Sequence, residues 1–199
     1  MTATVWQTLL SAIRETHHAH CELAAFCKIP DDIHPQDVEP FYIPAADLLH
    51  REKGLAALLY MELREAIIAA GPHAHWRETY KDTGIGEDFL SRFGCYCIVG
   101  DGGPFSSQHI RVWVVYMPPR LHYRWHHHVG EEMYLVVAGE AEFFRKGDPP
   151  ETLQSGQTSK HEPNQPHAME THDHPVLALV IWRNGFESLP LLTLPEDVP

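Results

Sequence analysis

The chain has 199 residues, of which 44% are hydrophobic and 21% are charged, with a formal net charge of −12 at pH 7. This composition is typical of a globular protein that buries one core. The acidic charge makes nucleic acid and anionic membrane surfaces poor partners. The sequence has no leader-like N-terminal segment and no apolar run near the ~18–20 residues of a membrane span. It therefore predicts a cytoplasmic protein that does not enter the membrane.

The first part of the chain predicts helices. Apolar residues recur at three- and four-residue spacing from Val5, which predicts an amphipathic helix that continues to about Cys27. Several prolines then predict an extended linker. A second helix is predicted over 45–70, ending at Gly71 and the proline after it. Residues 1–92 are expected to form a helical extension that packs on the rest of the molecule.

The pattern changes near Phe93, where short β-rich runs begin to alternate with Gly- and Pro-containing turns. Several short strands at this spacing predict a β-sandwich or jelly-roll barrel over 93–199. The predicted strands are Cys95–Val99, His109–Tyr116, His122–His128, Glu132–Val137, Glu140–Arg145, Thr152–Gln154, His167–Thr171 and Val176–Trp182.

Candidate metal ligands lie close together in the middle of this β-rich part. His126 and His128 are two residues apart, and Glu132 and Tyr134 follow at positions that share a strand face. A further histidine, His167, lies downstream. Imidazole and carboxylate ligands suit one divalent transition metal, and the set does not distinguish Zn²⁺, Fe²⁺, Mn²⁺, Co²⁺ and Ni²⁺.

This spacing resembles the first motif of the cupin superfamily. The run His126-x-His128-x3-Glu132-x6-Gly139 matches that motif from its first histidine to its final glycine. Arg120 stands where the motif has its leading glycine. The resemblance implies a cupin fold, a double-stranded β-helix that forms a jelly-roll barrel, with the helical part as an N-terminal extension.

The second cupin motif is matched less closely. Gly156, Pro163 and His167 follow its order, but the spacing differs by one residue on each side of the proline. Gln165 lies near the expected glycine, and Thr171 replaces the terminal asparagine. Three other histidines compete with His167 for the ligand position, namely His161, His172 and His174.

Over its full length the chain resembles the cupin-type dimethylsulfoniopropionate lyases, and most closely the Q class. The carrying residues are Tyr123-x2-His126-x-His128-x3-Glu132-x-Tyr134, preceded by a helical half. The resemblance implies a metal held by His128, Glu132 and His167. It places His126 beside the metal, as a ligand or neighbour. It also implies two aromatic residues along the substrate pocket, Tyr123 and Trp182.

The substrate implied by this resemblance is a small zwitterion with a carboxylate and a dimethylsulfonium group. Its cleavage to dimethyl sulfide and acrylate needs a base near the carbon next to the carboxylate. Tyr134 is the candidate base, and Tyr123 is the second candidate catalytic residue. Tyr123, His126 and Trp182 are the candidate substrate-binding residues, since aromatic faces attract a sulfonium cation.

The predicted position of Tyr123 conflicts with simple strand alternation. It lies three residues before His126 and therefore belongs on the opposite face of a regular strand. A β-bulge or a strand start near residues 119–123 would place both side chains on one face.

Two other functions fit the same residues. Histidines with one glutamate also suit Fe(II), so a cupin dioxygenase acting on a small thiol or acid is one alternative. A non-catalytic cupin that binds a small molecule is the other, because a fold does not determine a function. The helical half could cap the barrel or form a dimer interface, so both a monomer and a homodimer remain open.

Overall fold

In the computed structural model, which describes residues 2–57, 59–194 and 197, helices come first and strands follow. The fold class is the predicted one, mainly β with N-terminal helices. The helices are α1 (Thr2–Ala19), α2 (Cys21–Phe26), α3 (Pro44–Arg51), α4 (Met61–Ala70) and α5 (Glu87–Arg92). The strands are β1 (His34–Pro35), β2 (Gly94–Val99), β3 (Phe105–Ser106), β4 (Arg111–Met117), β5 (Leu121–His127), β6 (Glu131–Arg145), β7 (Glu151–Gln154), β8 (Thr158–His161), β9 (His167–Thr171), β10 (Val176–Arg183) and β11 (Leu191–Leu192).

Strand β6 is the longest strand and belongs to both sheets. Its first half pairs with β8 and β10, in a sheet that continues through β4 and β2. Its second half pairs with β7 and β9, in a sheet that continues through β5 and β11. The two sheets therefore face each other across an interior that β6 borders on both sides.

The sequence predicted a turn at Ala138 and Gly139 that divides β6 into two strands, and this prediction is wrong. The strand runs through, with a register shift in its pairing to β10. Gly139 has a φ of 73°, which glycine adopts without strain. The change of direction that reads as a turn in the sequence is a bend within one strand.

The predicted helix over 45–70 is also interrupted. Helices α3 and α4 are separated by extended chain around Gly54. A side chain at Gly54 would meet the Pro175 ring at 3.0 Å, and the carbonyl of Ala56 accepts a hydrogen bond from the Gly139 N–H at 3.1 Å. The segment lies against the barrel, and these tertiary contacts replace helical hydrogen bonds.

The predicted first helix is likewise two helices. Helix α1 ends before His20, and the His20 imidazole then accepts a hydrogen bond from the Leu23 N–H at 3.4 Å at the start of α2. Among the described residues, no helix is both long enough and apolar enough to cross a membrane.

Side-chain alternation divides the buried apolar residues into two clusters. On β10, one set of side chains packs with the helices, as Leu179 does, and the other faces the barrel interior, as Val180 does. The helical side contributes Leu9 and Ile67 to the first cluster, while Phe89 joins the second. Apolar residues from both sides of residue 93 therefore share both clusters. The domain boundary expected at that residue stays a prediction.

We expect Gly139→Ala to destabilise the fold through a direct clash, because a Cβ at this position would lie 1.8 Å from the carbonyl oxygen of Pro175. Gly147→Ala is the matched control, since Gly147 also has positive φ, at 98°, but its Cβ would meet nothing within 4 Å. The control should lose about 1–2 kcal/mol of unfolding free energy in urea, and Gly139→Ala should lose about 3 kcal/mol or more. Equal losses would contradict the clash.

Candidate metal centre

Two histidines and a glutamate converge between the two sheets. Among the described residues, the one group of metal-binding side chains whose ligand atoms all lie within 4.8 Å of one another is His128, Glu132 and His167. The Oε2 atom of Glu132 is 3.3 Å from His128 Nε2 and 3.2 Å from His167 Nε2. All three side chains are buried. Glu132 lies at the start of β6, His167 begins β9, and His128 directly follows β5.

Backbone hydrogen bonds orient both histidines of this cluster. The Nδ1–H of His128 donates to the Gly130 carbonyl at 2.9 Å, and that of His167 donates to the Gln165 carbonyl at 2.8 Å. These bonds direct the Nε2 lone pairs inward. Both Nε2 atoms are buried and lack a hydrogen-bond partner in the described part of the chain. Buried polar atoms are normally satisfied, so two unpartnered nitrogens beside a carboxylate fit a bound divalent cation.

The charge state of Glu132 agrees with this fit. Burial alone would raise the pKa of its carboxyl group, but electrostatic attraction to His128 and the hydrogen bond from His161 hold the pKa well below its usual value. Glu132 is therefore a carboxylate. Burial lowers the pKa of His128, but the Glu132 carboxylate outweighs it, with a net raised pKa.

His161 is a buried neighbour of the cluster. Its Nδ1–H donates to Glu132 Oε2 at 2.6 Å, and its Nε2 lies 3.0 Å from the Ser159 hydroxyl. Its ring stacks on His167 with centroids 3.9 Å apart. Burial and the neighbouring His167 imidazole lower its pKa to about 3, so His161 is neutral. It orients the carboxylate of Glu132 and lies outside the three-residue ligand group.

His126 lies beside the cluster, with its ring centroid 4.0 Å from that of His167. Its Nδ1 lies 2.9 Å from the Arg124 carbonyl. Burial and the neighbouring His167 imidazole lower the pKa of His126 well below its ordinary value. The ring is thus a neutral imidazole next to the ligand group, and its role as ligand or neighbour stays a prediction.

Tyr123 reaches the same face as His126 through a register shift in β5. The pairing of β5 with β9 is regular up to Tyr123 and resumes at His126, so the irregularity lies between the two residues. Their rings stack with centroids 4.0 Å apart and an interplanar angle of 11°. Strand alternation alone would have separated them. The irregularity lies between residues 123 and 126, just after the segment 119–123 in which the sequence analysis expected it.

A cavity of about 800 Å³ opens beside the cluster. Glu132 and Tyr134 form part of its wall, together with Tyr123 and Trp182. The indole N–H of Trp182 donates to Glu132 Oε1 at 2.6 Å, and its ring stacks on His128 with centroids 4.1 Å apart. Trp182 therefore supports the cluster as well as lining the cavity.

The environment of Tyr134 favours the protonated phenol. Burial raises the pKa of Tyr134 well above its ordinary value, and the negative charge of Glu132 raises it further. The ring packs on Phe143 and lies near His161, with centroids 5.6 and 5.5 Å away. Among the described side chains, none forms a hydrogen bond with its hydroxyl group. Tyr134 can act as a base only if positive charge enters the cavity.

The sequence reasoning missed one aromatic residue of the site. Tyr80 lies in the turn-rich segment before α5 and has a φ of 66°. Its hydroxyl lies 3.2 Å from that of Tyr123, and it lines the cavity. Burial raises the pKa of Tyr80, so the two hydroxyls form a neutral pair. No periodicity in this irregular segment signals the contact.

The competing histidines have different outcomes. His161 lies beside the three-residue cluster and hydrogen-bonds to Glu132, although the sequence did not predict the strand that carries it. His172 and His174 are exposed, and His172 lies 3.1 Å from Glu142 on the surface. Neither belongs to the group of ligand atoms around Glu132.

The chain is similar to known lyases over nearly its whole length. The profile of the dimethylsulfoniopropionate lyase family matches residues 17–178. The chain is 44% identical over 195 residues to the dimethylsulfoniopropionate lyase DddQ of Ruegeria pomeroyi DSS-3, covering 98% of this chain and 97% of that protein.

Two solved structures extend this similarity to the fold. The crystal structure of DddQ from the same organism superposes with a TM-score of 0.95 and 44% identity, covering 98% of this chain and 99% of the other. A chain from the crystal structures of the lyases RdDddP and RnDddQII superposes with a TM-score of 0.93 and 39% identity, covering 98% and 100%.

We expect His128→Ala and Glu132→Gln to lose bound metal, because each removes one of the three clustered ligand atoms. The affinity should fall by more than about 100-fold, beyond the ~10–100-fold typical of groups that only orient ligands. Metal content after gel filtration, measured by mass spectrometry, checks this. His172→Ala changes an exposed histidine and should keep its metal. Retention of a full complement by either cluster variant would show that the ligand set is wrong.

His161→Ala should weaken metal binding without abolishing it, because it leaves the Glu132 carboxylate with one donor fewer. An affinity loss of about 10–100-fold is expected, measured by competition with a chelator. His161→Asn can supply an N–H near the position of Nδ1 and should recover part of the affinity. If His161→Ala bound metal as tightly as the unchanged protein, its orienting role would be refuted.

Proposed function

The chain belongs to the dimethylsulfoniopropionate lyase family, and we propose that it cleaves dimethylsulfoniopropionate to dimethyl sulfide and acrylate by metal-dependent β-elimination. The observation that carries this proposal is the family match over residues 17–178, together with the buried His128–Glu132–His167 group beside a cavity. A carbon–sulfur lyase needs a base, charge compensation for the substrate carboxylate and space for a sulfonium group. The cavity offers residues for each task.

The reaction balances without an oxidant. A base removes the proton from the carbon next to the carboxylate, and that electron pair forms the carbon–carbon double bond. The bond between the neighbouring carbon and sulfur breaks, and its electrons leave on dimethyl sulfide. Acrylate remains, and the proton passes from the base to solvent. Removal of the first proton is the difficult step, because the carbon is a weak acid.

Tyr134 is the proposed base. It lies two residues after Glu132 on β6 and lines the cavity, and no described side chain hydrogen-bonds its hydroxyl. Burial and the Glu132 carboxylate raise its pKa, so positive charge must oppose them. A divalent transition metal bound by His128, Glu132 and His167 supplies such charge, both for a substrate carboxylate and for lowering the pKa of a nearby phenol.

Tyr123 is the second proposed catalytic residue, and its position is held from several sides. Its ring stacks on that of His126, and its ring centroid lies 4.6 Å from that of Phe93. Its hydroxyl oxygen lies 3.2 Å from that of Tyr80, within hydrogen-bond distance. Burial raises the pKa of Tyr123 well above its ordinary value. A protonated phenol held in this way can donate a hydrogen bond to substrate, whereas Tyr134 accepts the proton.

Aromatic faces are proposed to hold the sulfonium group. Trp182 and Tyr123 both line the cavity, and Trp182 stacks on His128 with ring centroids 4.1 Å apart. A cation over such a face gains about 0.5–2 kcal/mol, more where water is excluded. The apolar side chains of Val115 and Val180 also line the cavity. His126, the third candidate binding residue, is not among the described residues that line the cavity, and it stacks on Tyr123 with ring centroids 4.0 Å apart.

We expect Tyr134→Phe to keep the fold and the metal but to lose lyase activity by about 10²–10⁴-fold, the usual contribution of a general base. The assay uses metal-loaded protein under nitrogen, with dimethyl sulfide measured in the headspace and acrylate in solution. The unchanged protein should form both in equal amounts, and a chelator should abolish both. Tyr42→Phe, at a tyrosine that is 62% exposed, is the control and should stay active.

Two results would contradict the proposal in different ways. Substantial turnover by Tyr134→Phe would remove Tyr134 from the role of base while leaving the lyase intact. Absence of both products under nitrogen, with consumption of O₂ when small thiols or acids are added in air, would instead favour the cupin dioxygenase.

A further inference from the structure

The cavity is larger than the proposed reaction requires. Its volume of about 800 Å³ falls in the range that holds whole drug-sized ligands, whereas dimethylsulfoniopropionate has only a short carbon chain. Glu132 and Tyr134 lie at its inner end. Arg77, Arg111 and Trp113 line its outer part. The proposed elimination assigns no role to the residues of this outer part.

The register of the sheet places this outer part apart from the metal cluster. Arg111, Trp182 and Glu132 are consecutive pairing partners across β4, β10 and β6. Neighbouring strands lie about 4.8 Å apart, so the backbone of Arg111 is about 10 Å from that of Glu132. Trp113 is separated from Tyr134 in the same way, with Val180 between them. A ligand on the outer wall would therefore not occupy the reaction centre.

Two arginines are held on this wall by aromatic rings. The guanidinium of Arg77 lies over Trp113, 4.8 Å from the ring centroid, and that of Arg111 lies over Phe186 at 4.2 Å. Neither guanidinium forms an ion pair with any described carboxylate. Arg111 donates through one nitrogen to the carbonyls of Ser107 and Ile110, which leaves its other nitrogens available. The guanidinium of Arg77 donates no hydrogen bond to a described acceptor, whereas its backbone N–H donates to the Cys95 carbonyl at 2.8 Å.

The surrounding charges leave this wall positive, in a chain whose net charge is −12. Among the acidic residues that line the outer cavity, Glu78 is paired with Lys81 at 2.7 Å, and Asp101 is exposed. The indole Nε1–H of Trp113 is buried and has no acceptor among the described residues. A buried donor of this kind normally has a partner, and an anion would supply one.

We propose that Arg77, Arg111 and the indole N–H of Trp113 form a subsite for the carboxylate of a small monocarboxylate, separate from the His128–Glu132–His167 group. Planar guanidinium groups match carboxylates through paired, charge-assisted hydrogen bonds. The inference rests on the proposed function for the identity of the ligand, because both the zwitterionic substrate and the acrylate product carry a carboxylate. Either would meet this subsite on its way through the cavity.

The test measures binding of sodium acrylate to the metal-loaded protein by calorimetry, and in parallel the steady-state kinetics with dimethylsulfoniopropionate. Arg77→Gln removes a guanidinium without removing a hydrogen bond to any described group. Trp113→Phe removes the N–H but keeps a ring beneath Arg77. Arg14→Gln changes the net charge equally at an exposed position on α1, outside the cavity lining, and serves as the control.

Arg77→Gln should weaken acrylate binding by about tenfold, the effect of losing a charged hydrogen-bond donor, while metal content stays unchanged. Trp113→Phe should weaken it in the same direction, and Arg77→Lys should recover part of the affinity. If these variants also raise KM with little change in kcat, the substrate binds at the subsite as well as the product. If only acrylate binding weakens, the subsite binds the product alone. Acrylate binding by Arg77→Gln and Trp113→Phe equal to that of the control would overturn the subsite. Because binding is read without turnover, a protein that eliminates nothing but still shows these losses would contradict only the proposed function.

Discussion

The buried carboxylate of Glu132 is the constraint on which the rest of the site depends. A carboxylate removed from water costs several kcal/mol unless it is paired and hydrogen-bonded. Here one oxygen accepts from the indole of Trp182, and the other faces His128, His161 and His167. These partners belong to different strands or to the chain beside them. The buried charge of Glu132 is therefore compensated only where residues from both sheets meet around its carboxylate.

Strand β6 makes that meeting possible because it belongs to both sheets. Glu132 and Tyr134 lie on its first half, whereas its second half pairs with β9, whose first residue is His167. The bend between the halves passes through Gly139, where the backbone approaches the Pro175 carbonyl too closely for any other residue. The bend therefore lies between the part of β6 that carries Glu132 and the part that pairs with the strand of His167.

The parts of the structure that sequence could predict are those with a local signal. Short spacing and strand alternation indicated that His128 and Glu132 belong together, and Gly and Pro punctuation indicated a β-barrel. His161 lies on a strand of mostly polar residues, Thr158–His161, which has no apolar alternation to mark it. Its importance follows from pairing with β6, a long-range contact. The register irregularity that turns Tyr123 toward His126 and the chain that divides the helix over 45–70 depend on tertiary packing in the same way.

The same burial that makes Glu132 costly keeps Tyr134 protonated, so that in the protein alone its phenol cannot accept a proton. Its pKa is raised by burial and by the neighbouring carboxylate, so the two acidic groups oppose each other's ionisation. Inward-facing Nε2 atoms on His128 and His167 cannot relieve this while the rings are neutral. A cation among these three ligands would satisfy both nitrogens, balance the carboxylate and favour the phenolate together. Under the proposed function, metal binding and ionisation of Tyr134 are therefore coupled, and losing any ligand should reduce both.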